Sequence, residues 1–249
     1  MAITRPDPGQ LNLEFERPAD RARLERTAAA LNGRGFKAQV ADSAEQARQL
    51  VLNAIPEGAE VHIALSETMR ELGITSVIDE SGRYDSLRSR LSALDRETQG
   101  REMRKLGAAP DYILGSAHAV TDDGEIVVGS GSGSQLGACA YAGGNVILVI
   151  GHQKLVHDLD EGLRRLREYS LPREFARMQD AGFPGTMLAK TLIIHHEPSP
   201  ASPSSWYPRH SASEPRAVHV RTGSVDTTAK GRDRAGHPAS SAPIGRCVI

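Results

Sequence analysis

The sequence predicts an α/β domain with a mainly parallel sheet. Three observations carry this reading: the charge-free, β-branched run NVILVI at 145–150, the amphipathic stretch DLDEGLRRLREYS that follows it, and an alternation of strand-like and helix-like segments upstream. A run apolar on both faces suits a central strand covered by helices on either side.

The elements follow in order. Arg17 to Asn32 places Ala19, Leu24, Ala28 and Leu31 at roughly helical spacing, and Gly33 and Gly35 stop it. Phe36 to Val40 alternates as a short strand. Asp42 or Ser43 then caps a helix running through Ala54, and Val61 to Leu65 is strand-like. Thr75 to Arg101 is polar and irregular and is expected to wrap the surface, its last part helical through Leu106. From Asp111 the pattern tightens: DYILGS, GEIVVG and NVILVIG read as strands, and Leu159, Leu163 and Leu166 mark the helix after them. TLIIHH, near Thr191, supplies one more buried strand.

The 249 residues allow one large α/β domain or two small ones, and one core is the simpler reading. Apolar residues make up 39% and charged residues 24%, somewhat polar for a globular chain, so part of it is expected outside any core. That part is 198–249, where Ser, Pro, Gly, Arg and His dominate; it reads as a low-complexity, disordered tail. Residues 1–16 read as an N-terminal extension and 17–197 as the domain.

A net charge of −1 offers no field to draw the chain to nucleic acid or an anionic membrane, so small molecules or proteins are the expected partners. Apolar runs such as Val146 to Ile150 fall far short of the ~20 residues that span a bilayer. MAITRPDPGQ lacks the apolar region of a secretory signal, so a cytoplasmic location is expected. Cys139 and Cys247 form no CxxC pair, which argues against a zinc site, a cluster or a disulfide framework; Cys139 is expected in the core.

Two segments could bind an anion. In SETMRELGI, Ser66 follows a strand and precedes a helix carrying Met69, Leu72 and Ile74, so hydroxyls and free N–H groups would gather at the carboxyl edge of the sheet. The plainer alternative is that Ser66 only caps the helix. GSGSGSQLG, Gly129 to Gly137, could form a nest of N–H groups for a phosphate or carboxylate, or be a flexible connection; its chemistry leaves both open. Its GxGxxxG spacing is not the dinucleotide fingerprint, and no acid follows the next strand, which ends in Gly151-His152-Gln153-Lys154. Lys154 would project from the same edge and could neutralise an anion, or be an ordinary solvated lysine. His195, His196 and Glu197 do not suit a metal, since adjacent strand residues face opposite ways. DDGE at 122–125 is a turn by chemistry, and no GxSxG elbow is present to support a hydrolase.

Taken in order, SETMRELGI, DYILGSAHAVTDDGE, GSGSGSQLG, GHQKLV and DLDEGLRRLREYSLP resemble the LUD domain of lactate-utilisation proteins, from about Leu24 to Glu197. In GHQKLV, Gln153 stands where the family has asparagine. The cysteine cluster many relatives carry after the proline is missing from Arg173 to Lys190, so no metal or cluster role transfers. Relatives usually finish with a further strand, which only RAVHVRTG from Arg216 faintly matches; the tail is therefore read as a divergent terminus or an abnormal reading of the gene.

The resemblance implies a three-layer α/β sandwich of the ribose-5-phosphate isomerase and CoA-transferase type, with its pocket at the carboxyl ends of the strands. It implies a role in lactate or related organic-acid utilisation, with a small anionic metabolite as ligand and iron–sulfur and oxidase subunits as partners. No cofactor or metal is expected. The pocket is expected to use Ser66 and Thr68 for hydroxyl contacts, Ser116, His118 and Thr121 for its wall, Gly131, Ser132, Gly133, Ser134 and Gln135 for the nest, and Lys154 for charge. Two alternatives stand beside this: a CoA-transferase-like or isomerase-like enzyme, with Glu125 as acyl acceptor, and a non-catalytic accessory subunit of a lactate oxidation complex.

Overall fold

The computed structural model describes residues 11–64, 66–197 and 244–248. Helix α1 (Arg21–Gly33) is capped by Asp20, whose carboxylate accepts from the Arg23 N–H. Strand β1 (Lys37–Gln39) follows, and then α2 (Ala44–Asn53), where Ser43 rather than Asp42 supplies the cap by accepting from the Gln46 N–H. Strand β2 (Glu60–Ile63) leads to α3 (Glu67–Glu71) and α4 (Ile74–Glu80), so the expected single helix is broken at Gly73, which takes the left-handed conformation at φ 65°. Leu65 lies outside the described residues.

The stretch expected to wrap the surface instead contains β3 (Asp85–Ser86) and α5 (Leu87–Ser92), and it buries Ile78, Tyr84 and Leu87. These three side chains, spaced irregularly among charges, give no periodic signal, yet they reach the core. Helix α6 (Gly100–Ala108) precedes β4 (Tyr112–Gly115), β5 (Ala119–Thr121) and β6 (Ile126–Ser130). A π-helical turn (Ala138–Ala142) enters β7 (Asn145–Val149). Then come β8 (Leu155–Val156), α7 (Leu159–Arg165), a second π-helical turn (Leu166–Ser170), α8 (Leu171–Asp180), β9 (Lys190–Ile194) and β10 (Ile244–Val248).

Six strands form a parallel sheet in the order β1-β10-β7-β4-β2-β3, and four form a second sheet, β8-β5-β6-β9, with β6 antiparallel to both its neighbours. The period-two geometry of β7 divides the core: Val146 and Leu148 pack with Leu31, Phe36 and the second sheet, while Ile147 and Val149 pack with Val51, Met69 and Ile78. Each such side chain contributes about 1.5–3 kcal/mol by leaving water. Beyond the second sheet, Ala119, Val127 and Val156 meet Leu166. The architecture is the expected α/β sandwich with mainly parallel strands.

Three readings of the sequence are corrected. The expected disordered tail does not hold for Ile244–Val248, which pairs in parallel with both β1 and β7, and Val248 is buried. Two unsatisfied neighbouring backbones, not an apolar run, place a strand there. The rest of the tail, RAVHV included, and MAITRPDPGQ lie outside the described residues. Strand β9 is half-exposed rather than buried, because it pairs only with β6 at the edge of the smaller sheet. Part of the expected N-terminal extension packs on the domain: in the 3-10 turn Leu13–Glu16, Phe15 is buried against Tyr169.

Candidate functional site

Strands β7, β4 and β2 are neighbours and run in one direction, so the loops leaving their carboxyl ends emerge side by side. Those loops carry Lys154, Ser116 and Thr68. The Lys154 Nζ donates to Ser116 Oγ at 2.7 Å and to Thr68 Oγ1 at 3.3 Å. Ser116 Oγ itself donates to the Val149 carbonyl, so its proton is committed and its lone pairs face the lysine. Among the described residues no carboxylate lies within ion-pair distance of Lys154. Burial, and then the Arg165 charge, lower its pKa from the usual 10.5 to about 8, while Glu71 acts in the opposite sense.

Arg165 ends α7 and is 2% exposed. Its guanidinium donates to the carbonyls of His118 and Gln153 and to Ser170 Oγ, and it lies 4.8 Å above the Tyr169 ring. It too has no carboxylate partner among the described residues, and burial, with help from Arg173, pulls its pKa down to about 10. By tying His118 to Gln153, Arg165 fastens the loop that carries Ser116 to the loop that carries Lys154.

His118 accepts a hydrogen bond at Nδ1 from the Gly129 N–H, 3.1 Å away. Burial first, then Lys154 and Arg165, push its pKa down to about 4. At neutral pH the ring is uncharged, and the Gly129 bond assigns its proton to Nε2.

A hollow of about 460 Å³ is lined by Glu16, Pro18, His152, Gln153, Tyr169 and Arg173, so it meets this group only through Gln153 and Tyr169, the partners of Arg165. There the Tyr169 hydroxyl donates to Glu16, and Arg173 donates to both. A larger hollow, about 610 Å³, lies against Leu11, Arg17 and Glu168, away from Lys154. Neither hollow is lined by Lys154, Ser116 or Thr68; the convergence of these polar groups, not volume, marks them as the candidate site.

The structure thus brings Thr68, Ser116, His118 and Lys154 together, and Ser66 heads α3 beside them without a side-chain cap bond. Thr121 is placed elsewhere. It is 1% exposed and accepts from the Glu125 N–H, which closes the DDGE turn. Glu125 sits at the start of β6, with its carboxylate 2.6 Å from His195 Nδ1. The glycine-rich loop satisfies much of its own hydrogen bonding: Gly133 N–H donates to Ser130 Oγ, Ser134 N–H to Ser132 Oγ, and Ser130 Oγ to Gln135 Oε1. Lys190 of β9 donates to the Ser132 carbonyl at 2.8 Å, and a side chain at Gly131 would press on Thr186 and Met187. Among the described residues no hydrogen bond joins this loop to Lys154. Its link to the site runs through Gly129 and His118.

Sequence reasoning missed Arg165, and the signal was present. Gly162, Arg165, Leu166 and Tyr169 follow i, i+3, i+4, i+7 spacing, and all four are buried. An arginine on the buried stripe of a helix is the anomaly to look for.

The LUD domain model matches residues 24–182. No curated protein matches the chain. Among solved structures, a DUF162 family protein from Deinococcus radiodurans is similar at 12% identity, over 71% of this chain and 89% of that one, with a TM-score of 0.43.

Proposed function

Because this chain belongs to the LUD domain family, which ties it at family level to lactate utilisation, we propose that the cleft around Lys154, Ser116 and Thr68 holds a small anionic metabolite of organic-acid metabolism. The observation that supports this reading is a pair of cations, Lys154 at the carboxyl edge of the sheet and Arg165 at the end of α7, with no carboxylate in ion-pair contact with either among the described residues. Buried charge without a partner is costly, and a bound anion relieves that cost. Ser66 and Thr68 offer hydroxyls, His118 offers its Nε2–H, and Ser116 positions the lysine. The glycine-rich loop, Gly131 to Gln135, is proposed as a further wall of the same cleft.

Glu125, engaged by His195 and remote from this group, gives no support to acyl transfer. A role beside iron–sulfur and oxidase subunits rests on the family alone and is addressed by pull-down with such proteins. The ligand itself is addressed by calorimetric titration of the full chain with lactate, pyruvate, sugar phosphates, CoA and folates. One anion should bind saturably, and Lys154→Met should weaken it by about 10- to 100-fold, since a charged hydrogen bond is worth about 1.5–3 kcal/mol. Binding to none of them, or binding indifferent to Lys154→Met, overturns the reading.

A further inference from the structure

Resting on that reading, we propose that the Lys154 amine reacts covalently with its ligand, condensing with the carbonyl carbon of a small 2-oxo acid to give an imine. A neutral amine has two N–H bonds and one lone pair. Ser116 and Thr68 receive the two N–H bonds. Ser116 cannot donate back, because its proton is held by the Val149 carbonyl. The lone pair is thereby left for the cleft. The neutral form is also accessible: with a pKa of about 8, about one Lys154 in ten is uncharged at pH 7, against about one in three thousand ordinary lysines. Burial and the neighbouring Arg165 favour that form, Glu71 opposes it, and the neutral His118 adds no charge.

The step balances without a redox partner. The lone pair attacks the carbonyl carbon, and the oxygen takes up a proton to give a carbinolamine. Thr68 has no other hydrogen-bond partner among the described residues, so its hydroxyl is free to relay that proton. Loss of the hydroxyl as water, with the nitrogen giving up its remaining proton, leaves the carbon–nitrogen double bond, whose nitrogen then takes a proton from solvent. The substrate class follows from charge. A protonated imine at this position faces Arg165 with no protein carboxylate in contact, so the negative charge that stabilises it has to come with the substrate. A carboxylate on the carbon next to the carbonyl supplies it at the shortest reach.

The test is reductive trapping. The full chain is treated with pyruvate, glyoxylate or 2-oxobutyrate and then borohydride, and peptides are mapped by mass spectrometry, with calorimetry of the same acids run in parallel. The expected result is one reduced adduct on the Lys154 peptide, at least tenfold more abundant than on exposed Lys105, and its loss in Lys154→Arg. Because the mapping is done on the unaltered chain, a misfolded variant does not cloud the answer. Binding of a 2-oxo acid without enrichment at Lys154 overturns the imine and leaves the anion-binding reading standing. Neither binding nor adduct for the three acids overturns the imine, and the same outcome for every anion tested overturns both.

Discussion

Replacing Lys154 by methionine should leave stability within about 2 kcal/mol of the parent's at pH 7, and the variant should lose ground to the parent toward pH 10.5. Folding lowers the amine's pKa from 10.5 to about 8. At 1.36 kcal/mol per pH unit this disfavours the charged folded protein by about 3 kcal/mol, and solvent screening of a half-buried group reduces that to about 1.5–3 kcal/mol. Methionine removes the charge and keeps most of the length. It also removes the hydrogen bonds to Ser116 and Thr68, each worth about 0.5–1.5 kcal/mol. The net change expected at pH 7 lies between about −1.5 and +2 kcal/mol.

The sign fixes the pH window. Between pH 8 and 10.5 the unfolded lysine keeps its proton while the folded one has released it, so the parent gains stability as pH rises. Below pH 8 the penalty is constant. The variant should therefore compare best with the parent at pH 7 and lose about 1.5–3 kcal/mol relative to it by pH 10.5. Other groups, Arg165 included, titrate in both proteins and largely cancel. Urea unfolding followed by far-ultraviolet circular dichroism at pH 7, 8, 9 and 10 measures the difference. A variant more than ~2 kcal/mol less stable at pH 7, or a difference that ignores pH, would refute the account of Lys154 as a destabilised cation.

His118 should make the protein sensitive to acid. Its folded pKa of about 4 lies below the ordinary 6.5, so stability is unaffected above pH 6.5 and falls by up to about 3 kcal/mol as pH drops to 4. His118→Asn, whose amide oxygen can still accept from Gly129, should flatten that loss in urea titrations; an unchanged acid profile counts against it. Gly124→Ala should cost about 2–5 kcal/mol, because φ is 86° and the added carbon would sit 2.8 Å from the Leu31 nitrogen. A thermal midpoint equal to the parent's would show that the turn moves freely off α1. Removing residues 244–249 should open a gap between β1 and β7 about two strand spacings wide, about 9.6 Å, and broaden the unfolding transition. An unaltered midpoint and slope would mean that β10 contributes little.

Local rules were legible wherever local chemistry decides. The β7 run announced its place in the sheet interior, and Ser43 announced a helix start. Lys154, Ser116 and Thr68 could be grouped from sequence because parallel neighbouring strands deliver successive loops to one edge. What escaped was set by distant chain. IGRCV lacks a periodic signal, yet two open strand edges recruit it. Thr121 and Glu125 stand only a few residues from His118, but one tight turn carries them to contacts of their own. The glycine-rich loop was recognisable as a loop, whereas its partnership with Lys190, across β6 and β9, was not.

Arg165 connects stability to function. An apolar residue there would fit the buried stripe of Gly162, Leu166 and Tyr169 and avoid the cost of burying a charge. It would also leave the His118 and Gln153 carbonyls without their shared donor and remove the charge that helps to lower the Lys154 pKa. The same guanidinium therefore ties two loops together and adds to the effect of burial in lowering the pKa of the lysine. Since the cost falls on the free protein, an anion that neutralises the site should stabilise the fold by mass action, by about 2.7 kcal/mol at a hundredfold excess over its Kd. Ligand-induced stabilisation that disappears in Arg165→Leu as well as in Lys154→Met would show the two cations acting as one unit.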